Sequence, residues 1–228
     1  MFLLTGDKHA QFGFLNDIDE KYNFIVLGDA GLLWNSPEKD AGLKKFVNSN
    51  VENLYVVRGN HERRPESCKI PVVYDYNVDG YVYCESEFPN IKYFMDGHTY
   101  IINGMKTLVI GGAYSVDKFY RLQNNWPWFE DEQLSKYEMS IIENNVKGQH
   151  YDVVLSHTCP FSWQPFDLFS PHVIQKDVDN TMEKWMDKIK DTFTFDYWFF
   201  GHFHDDRCVD KGVYMLYDSL KEFPSKGE

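Results

Sequence analysis

The sequence lacks the features of membrane-embedded, secreted and disulfide-stabilised proteins. No apolar run among its 228 residues approaches the roughly 18 to 20 needed to span a bilayer. The opening MFLLTGDKH has no positively charged segment ahead of a long apolar stretch, as a signal peptide would. The cysteines form no CxxC pair; they are Cys68, Cys84, Cys159 and Cys208. We therefore expect free, buried thiols, a cytoplasmic location and no membrane partner.

The chain is also poor in positive charge. It has 23 Lys and Arg against 35 Asp and Glu, which gives a formal net charge of −12. A surface of this sign repels polyanions, so nucleic acid is disfavoured as a partner except where a bound metal reverses the local field. The sequence predicts no particular oligomeric state.

Internal repeats, low-complexity tracts and Pro/Gly/Ser-rich linkers are missing too, so composition marks no domain boundary. We expect one domain over residues 1–223 and a flexible tail at 224–228. Short apolar runs alternate with helical patterns, which predicts an α/β fold. The alternation by itself suggests a single open sheet.

Three segments have helical patterns, and a fourth predicts a hairpin. The helices are expected at 36–47, 131–147 and 174–191. The buried faces of the second and third are expected to be Leu134, Tyr137, Ile141, Ile142 and Val146, and Ile174, Val178, Trp185 and Ile189. Asn103-Gly104, between two apolar runs, is typical of a tight β-turn.

Polar residues recur where predicted strands end. They are Asp7 and His9 in FLLTGDKH, Asp29 in FIVLGDAG, Asn60 and His61 in YVVRGNHE, His157 in VVLSH, and His202 and His204 in WFFGHFH. Glycine directly precedes the polar residues at four of these five ends, which permits a tight turn and leaves room for a ligand. Ligand sites of α/β sheets lie outside the carboxyl ends of the strands, so we expect the eight residues to converge in one crevice.

This mixture of imidazole, carboxylate and amide groups favours Zn, Fe, Mn or Ni over Ca or Mg alone. The number of candidate ligands exceeds what one ion needs. Two ions about 3.5 to 4 Å apart, bridged by a carboxylate and a solvent molecule, are typical of phosphate-ester hydrolysis.

In their order along the chain, GDKH, GDAG, GNHE, SHT and GHFH resemble the motifs of the calcineurin-like metallophosphoesterases, and the resemblance spans Asp7 to His204. It implies a four-layer β-sandwich of two mixed sheets flanked by helices. It also implies two divalent or mixed-valence transition-metal ions. Their implied ligands are Asp7, His9 and His204 for the first ion and Asn60, His157 and His202 for the second, with Asp29 bridging both.

The same resemblance implies that a hydroxide shared by the metals attacks phosphorus. His61 would then donate a proton to the leaving oxygen, or otherwise steady it. One motif departs from the pattern of the phosphoprotein phosphatases, which continue Gly-Asp with x-Val-Asp-Arg. Leu32 and Leu33 replace that Asp and Arg, so His61 needs another orienting partner.

Four arginines are candidates for binding substrate phosphate: Arg58, Arg63, Arg64 and Arg121. We single out Arg63, which is nearest the GNHE motif, and Arg121, which follows another strand-like run in GGAYSVDKFYR. Asp117 of that loop is a further candidate for contact with the site. Glu62 is expected to orient its neighbours. The cluster NNWPWFEDE (124–132) is expected to pack the start of the next helix or, alternatively, to form an aromatic lip over the cleft.

We therefore expect a dinuclear-metal-dependent phosphomonoesterase, similar to serine/threonine phosphatases, that acts on a phosphorylated small molecule or a phosphoprotein. Asp29 and His61 are its expected catalytic residues. One alternative is a phosphodiesterase acting on a cyclic nucleotide or nucleic acid. The other is a non-catalytic, metal-binding scaffold for a protein partner, which would be expected to have lost some of these ligands or His61.

Overall fold

The computed structural model describes residues 1–18, 20–171 and 173–226. His172, a histidine outside every motif that we expect at the surface, lies outside the described residues, as do the last two residues of the predicted tail. None of the helices among the described residues has the length and apolar character that crossing a bilayer requires. The prediction of one domain over 1–223 stays a prediction.

The first sheet is built around four parallel strands. Its seven strands are β1 (Phe2–Thr5), β2 (Asn23–Val26), β3 (Asn53–Val56), β4 (Val72–Asp75), β5 (Gly80–Cys84), β6 (Ile91–Phe94) and β13 (Lys221–Glu222). They lie in the order β13-β1-β2-β3-β6-β5-β4. The four strands β1, β2, β3 and β6 run parallel, while the outer strands pair antiparallel.

The second sheet has the same plan with six strands. They are β7 (Thr99–Ile102), β8 (Met105–Ile110), β9 (His150–Ser156), β10 (Thr194–Phe200), β11 (Arg207–Asp210) and β12 (Val213–Met215). They lie in the order β11-β12-β10-β9-β8-β7, with antiparallel pairs at both edges of a parallel centre.

The two sheets pack face to face. Their shared core contains Leu4 and Ile25 of the first sheet and Val109, Leu155 and Phe199 of the second. The expectation of a single open sheet was wrong, and the two mixed sheets implied by the motif resemblance are confirmed. Parallel strands buried on both faces look alike in sequence whichever sheet they join, so alternation could not divide them.

Helices cover the two outer faces. They are α1 (Pro37–Asn50), α3 (Lys136–Val146) and α4 (Thr181–Lys190), whereas the short α2 (Lys118–Gln123) buries Arg121 beside the crevice. Val47 of α1 packs on Leu54 and Val56 of the first sheet. Ile142 of α3 and Met186 of α4 belong to the core on the far side of the second sheet. The result is four layers, with one helix layer outside each sheet.

The predicted helix at 131–147 starts later and buries a different face. Ser135 caps it in a capping box with Glu138, so α3 begins at Lys136. Tyr137 and Ile141 are exposed, whereas Met139, Ile142 and Val146 are buried. The expected burial is confirmed at Leu134, Ile142 and Val146 and was wrong at Tyr137 and Ile141, because the face was aligned on Leu134, which precedes the cap.

The predicted helix at 174–191 also begins late, at Thr181. Asp179 Oδ1 accepts a hydrogen bond from the Thr181 backbone N–H (3.0 Å), which competes with helix formation ahead of that point. The preceding chain forms short 3₁₀ turns, and Ile174 is exposed rather than part of a buried face.

The other local predictions agree with the structure more closely. The helix expected at 36–47 starts after the Ser36 cap and continues to Asn50. Asn103 and Gly104 both have positive φ, 50° and 76°, and join β7 to β8 as a hairpin. All four cysteines are free, and Cys84 and Cys159 are buried as expected, but Cys68 is half-buried and Cys208 is exposed, so the expectation was wrong for these two.

Candidate metal centre

The carboxyl ends of five parallel strands meet at one edge of the sandwich. Asp7, Asp29 and Asn60 follow β1, β2 and β3 of the first sheet, and His157 and His202 follow β9 and β10 of the second. His9, His61 and His204 come one or two residues after these positions. The structure thus brings together all eight residues of the predicted crevice.

One group of potential ligands consists of Asp7, His9 and His204. The Nε2 atoms of His9 and His204 lie 3.0 Å apart, and Asp7 Oδ2 lies 3.3 Å from His204 Nε2 and 3.8 Å from His9 Nε2. Asp7 Oδ2 is buried and has no hydrogen-bond partner of good geometry. A buried carboxylate oxygen facing two imidazole nitrogens is well suited to a divalent cation.

A second group surrounds His157. Its Nε2 lies 2.7 Å from Asn60 Oδ1, and its ring lies 4.9 Å from that of His202, measured between centroids. The Nδ1 of His157 lies 2.7 Å from the carbonyl oxygen of Leu27. Donation of an N–H to that carbonyl fixes the tautomer and leaves Nε2 free to bind a metal.

The Asp29 carboxylate lies between the two groups. Its Oδ2 is 4.0 Å from His9 Nε2 and 3.6 Å from His157 Nε2. The backbone N–H of His61 donates to its other oxygen (2.8 Å), which holds the carboxylate in this orientation. Asp29 therefore has the position that a bridging ligand requires.

Four of these residues have a left-handed backbone that ordinary residues rarely adopt: φ is 43° at His9, 47° at Asp29, 70° at His202 and 53° at His204. Such conformations cost about 1 to 3 kcal/mol each and persist where the surroundings fix them, commonly at functional sites. The motif turns thus aim the side chains at the crevice at some cost in stability.

Burial keeps most of these imidazoles neutral. It lowers the pKa of His9, His157 and His202, and the last falls to about 3, with the neighbouring His157 also lowering it. Only His204 has a raised pKa, because it lies beside Asp7. Neutral imidazole is the form that binds a metal, so the site is electrostatically prepared for one.

The two buried aspartates behave differently. Burial would raise the pKa of Asp7, but His157, His204 and the backbone N–H of His202 together lower it. Burial, followed by the negative charge of Asp7, raises the pKa of Asp29 well above its ordinary value. Two carboxylates so placed repel each other until positive charge is supplied between them.

His61 has an orienting partner of a kind that the sequence did not reveal. A terminal guanidinium nitrogen of Arg121 contacts both nitrogens of its ring and lies 3.0 Å from Nε2. The ring also stacks on Trp34 at 6.0 Å between centroids, and the Arg121 guanidinium lies 4.9 Å from the centre of the Trp34 ring. Arg121 is itself buried and pairs with Asp117 (2.8 Å).

This arrangement disfavours a charged His61. Burial, and then the charge of Arg121, lower the pKa of His61 to about 2. Because a guanidinium only donates hydrogen bonds, the ring nitrogen that accepts from it carries no proton. A protonated, proton-donating His61, which the motif resemblance implied, is therefore opposed by its surroundings, and the cation beside His61 is Arg121.

The other three candidate arginines lie away from the crevice. Arg58 is buried and donates to Asp96, Glu132 O and Gly111 O. Arg63 donates to the carbonyl oxygens of Leu33 and Asn35. Arg64 pairs with Glu138 (2.6 Å) near the start of α3.

Sequence reasoning missed two residues that hold Asn60. The amide nitrogen of Asn60 donates to Ser115 Oγ (2.8 Å), which donates in turn to Glu132 Oε2 (2.6 Å). These two hydrogen bonds fix the Asn60 amide so that its Oδ1 faces His157. Ser115 follows the end of β8, so the rule applied to the other five strand ends could have found it.

Two further neighbours of the site come from segments noted in the sequence. Glu62 accepts a hydrogen bond from the backbone N–H of Leu32 (2.8 Å), as expected of a residue that orients its neighbours. Trp126 is exposed and lines a groove with Trp34, His61 and Arg121, so part of the cluster at 124–132 forms the aromatic lip.

Comparisons with known proteins agree with this geometry. A search of curated proteins found no relative of the chain. The family model of calcineurin-like phosphoesterases matches residues 1–206, which include all eight residues of the crevice and most of both sheets. The chain belongs to the calcineurin-like phosphoesterase family of metal-dependent hydrolases.

Proposed function

We propose that this protein is a dinuclear-metal phosphomonoesterase. The observation that carries the proposal is the position of Asp29 Oδ2, within 4.0 Å of a ligand nitrogen in each of two groups. The first metal would be held by Asp7, His9 and His204. The second would be held by Asn60, His157 and His202, with Asp29 shared.

The donor set of imidazole, carboxylate and amide suits Mn, Fe, Zn or Ni. Two such ions, when bound, supply charge neutralisation on the phosphoryl group and activation of water at neutral pH. The protein's part is to hold its neutral imidazoles and two buried aspartates in place. It also excludes bulk water from the buried side of the site.

His61 and Arg121 act on the substrate in this proposal. Arg121 directs a fixed positive charge to the phosphoryl oxygens, and the neutral His61 imidazole, held by Arg121 and Trp34, steadies the leaving oxygen by a hydrogen bond. An additional buried cation suits the dianionic phosphate of a monoester better than the monoanionic phosphate of a diester. Arg63, whose guanidinium is occupied by backbone carbonyls, takes no part.

The natural substrate would be a phosphorylated small molecule or phosphoprotein. The four free thiols support action in the reducing cytoplasm. The net charge of −12 argues against nucleic acid.

The test compares 4-nitrophenyl phosphate with bis(4-nitrophenyl) phosphate, using metal-stripped protein reloaded with Mn²⁺. We expect two bound metals per chain and faster monoester hydrolysis. Asp29→Asn should lose about a hundredfold or more in kcat/KM, whereas the exposed Asp191→Asn should match the parent protein. Arg121→Lys should reduce monoester hydrolysis more than diester hydrolysis, because Lys lacks the planar fork of donors.

Three outcomes would contradict the proposal. Fewer than two metals per chain, with Asp29→Asn as active as the parent, would remove its basis. Faster diester hydrolysis that is insensitive to Arg121→Lys would favour the phosphodiesterase alternative. Two bound metals without hydrolysis of either compound would favour the scaffold.

A further inference from the structure

A cavity of about 330 Å³ opens beside the metal centre. It is lined by Asp29, Asn60 and His202 of the centre, and also by residues of α4 and of the turns that precede it. We call it the Glu183 pocket after the glutamate of α4 that lines it. Its volume is in the range of small-molecule sites, about 300 to 1,000 Å³. The cavity is continuous with the crevice, so it is placed to hold the organic part of a substrate whose phosphate lies at the metals.

Three oxygen atoms of the pocket's residues are buried without a hydrogen-bond partner: Asp117 Oδ1, Gln164 Oε1 and Glu183 Oε2. Buried acceptors are rarely left unpaired, because each one costs free energy. All three are acceptors. A ligand that completes this pocket must therefore donate hydrogen bonds.

Their surroundings fix these side chains. Glu183 is only 2 % exposed, and its other oxygen accepts from Thr158 Oγ1 (3.1 Å). The amide nitrogen of Gln164 donates to Asn180 Oδ1 (3.2 Å), which leaves its oxygen as the unpaired atom. The second carboxylate oxygen of Asp117 is held by Arg121.

Much of the remaining lining is apolar, and no lysine or arginine lies among the described lining residues. Val116, Leu168, Phe169, Val178 and Phe203 supply aliphatic and aromatic surface. A second phosphate or a carboxylate on the ligand would find no lysine or arginine there and would lie beside the unpaired acceptors. An apolar body that carries a nitrogen donor fits both parts of the lining.

The electrostatics of Glu183 also favour a ligand that carries a nitrogen donor. Burial raises its pKa to about 7, which means that the carboxylate lacks a cationic neighbour strong enough to offset its loss of hydration. An ammonium or a ring amino group at Oε2 would supply that missing interaction.

We propose that the Glu183 pocket binds the organic group of the phosphoester and selects one with an apolar body bearing an N–H donor, which Glu183, Gln164 and Asp117 accept. Two sources share this chemistry, an alkylamine and an amino-substituted heterocycle. The proposal rests on the proposed function for the reaction itself. Selection of a donor in the pocket can be tested separately by binding.

The experiment uses matched pairs of phosphomonoesters on the Mn²⁺-loaded protein. The first pair is 4-(aminomethyl)phenyl phosphate and 4-ethylphenyl phosphate, which differ in one nitrogen. The second is AMP and purine riboside 5′-monophosphate, which differ only in the 6-amino group. We expect kcat/KM to favour the amino member of at least one pair by about tenfold, the value of one charge-assisted hydrogen bond. Preference in the first pair identifies an alkylamine, and preference in the second an amino-substituted ring.

Two variants locate that preference. Glu183→Gln should reduce the ratio several-fold toward one. Gln164→Leu, on a surface turn that folding tolerates better, should also reduce it. Glu52→Gln, at an exposed position just before β3, is the matched control and should keep the parent ratio.

Calorimetry with the product compounds separates this inference from the proposed function. If neither phosphate is hydrolysed but 4-(aminomethyl)phenol binds better than 4-ethylphenol, or adenosine better than purine riboside, and Glu183→Gln removes the difference, the pocket assignment holds while the phosphatase proposal fails. If the phosphates are hydrolysed with no amino preference in either pair, or if the preference survives both variants, the pocket assignment is wrong while the phosphatase proposal stands.

Discussion

At the scale of single residues, the glycines before the polar motifs make room for the neighbouring ligand side chains. A Cβ built on Gly59 would overlap the Asp29 carboxylate, and one built on Gly201 would overlap Asp7 Oδ1. The sequence suggested that these glycines leave space for a bound ligand. In the structure the space is filled by the aspartates, so the motif glycines and the ligands of adjacent strands depend on one another.

Gly59→Ala tests this dependence. The added methyl group should displace Asp29 from between the two ligand groups, so the variant should bind less than two metals per chain. Gly42→Ala is the control, because Gly42 lies within α1 and an added Cβ meets nothing within 4 Å. Alanine there should raise the free energy of unfolding by about 0.5 to 1 kcal/mol through helix propensity. Metal analysis of both variants is the measurement, and full occupancy in Gly59→Ala would contradict the argument.

The raised pKa of Glu183 should also make the free energy of unfolding depend on pH. Its pKa is raised to about 7 in the folded protein, from about 4.5 when unfolded, so the folded state binds the proton more tightly. The stabilisation is fully present below pH 4.5 and is lost as the pH rises through 7. Other charged groups that act on this carboxylate are Asp179 and Lys184, and Thr158 donates to it.

Glu183→Gln removes that titration. The free energy of unfolding of the parent, measured relative to this variant by urea denaturation, should therefore decrease between pH 4.5 and 7, by on the order of 3 kcal/mol at most. The subtraction cancels groups that titrate in both proteins. A difference that stays constant over this interval would show that Glu183 is not held as an uncharged acid.

At the scale of secondary-structure elements, the sequence predicted strand ends better than helix starts. The eight polar residues could be placed together because the rule for strand ends needs only the order of strands and turns. The start of α4 could not be predicted in this way. The Asp179 side chain accepts a hydrogen bond from a backbone N–H at the start of the helix, while the apolar spacing continues upstream through Ile174 and Val178. Arg121 as the partner of His61 was equally hidden, since 60 residues separate the two.

The capping box of α3 leads to an element-scale prediction. The Ser135 side chain accepts from the Glu138 backbone N–H (3.2 Å), and Glu138 returns a bond to the Ser135 N–H (2.7 Å). Ser135→Ala should lower the free energy of unfolding by about 1 kcal/mol and leave metal content unchanged. Ser140→Ala, on the exposed side of the same helix, should have a smaller effect. If thermal or urea unfolding shows equal losses of stability for Ser135→Ala and Ser140→Ala, the capping box does not stabilise α3.

At the scale of the whole molecule, the metal centre is a junction between the two sheets. Asp7, Asp29 and Asn60 come from the first sheet, and the His157 and His202 segments come from the second. His157 also reaches across to the carbonyl oxygen of Leu27. The division of the strands between two sheets could not be predicted from alternation, yet it explains why ligands nearly 200 positions apart meet, since each sheet presents its carboxyl ends at the same edge.

Metal removal should therefore weaken the attachment of one sheet to the other. Without bound cations, the buried Asp7 and Asp29 carboxylates repel each other, and this repulsion adds to burial in raising the pKa of Asp29. Metal present at about a hundred times its dissociation constant would stabilise the fold by about 3 kcal/mol. Stripping it should then lower Tm by about 5 to 10 °C in a chain of this size. Calorimetry of the parent with and without chelator measures the shift, and Asp29→Asn should show a much smaller one. A parent Tm that does not respond to chelation would contradict a structural role for the metals, even if activity disappears, because ligands from both sheets could not then be holding a common pair of ions.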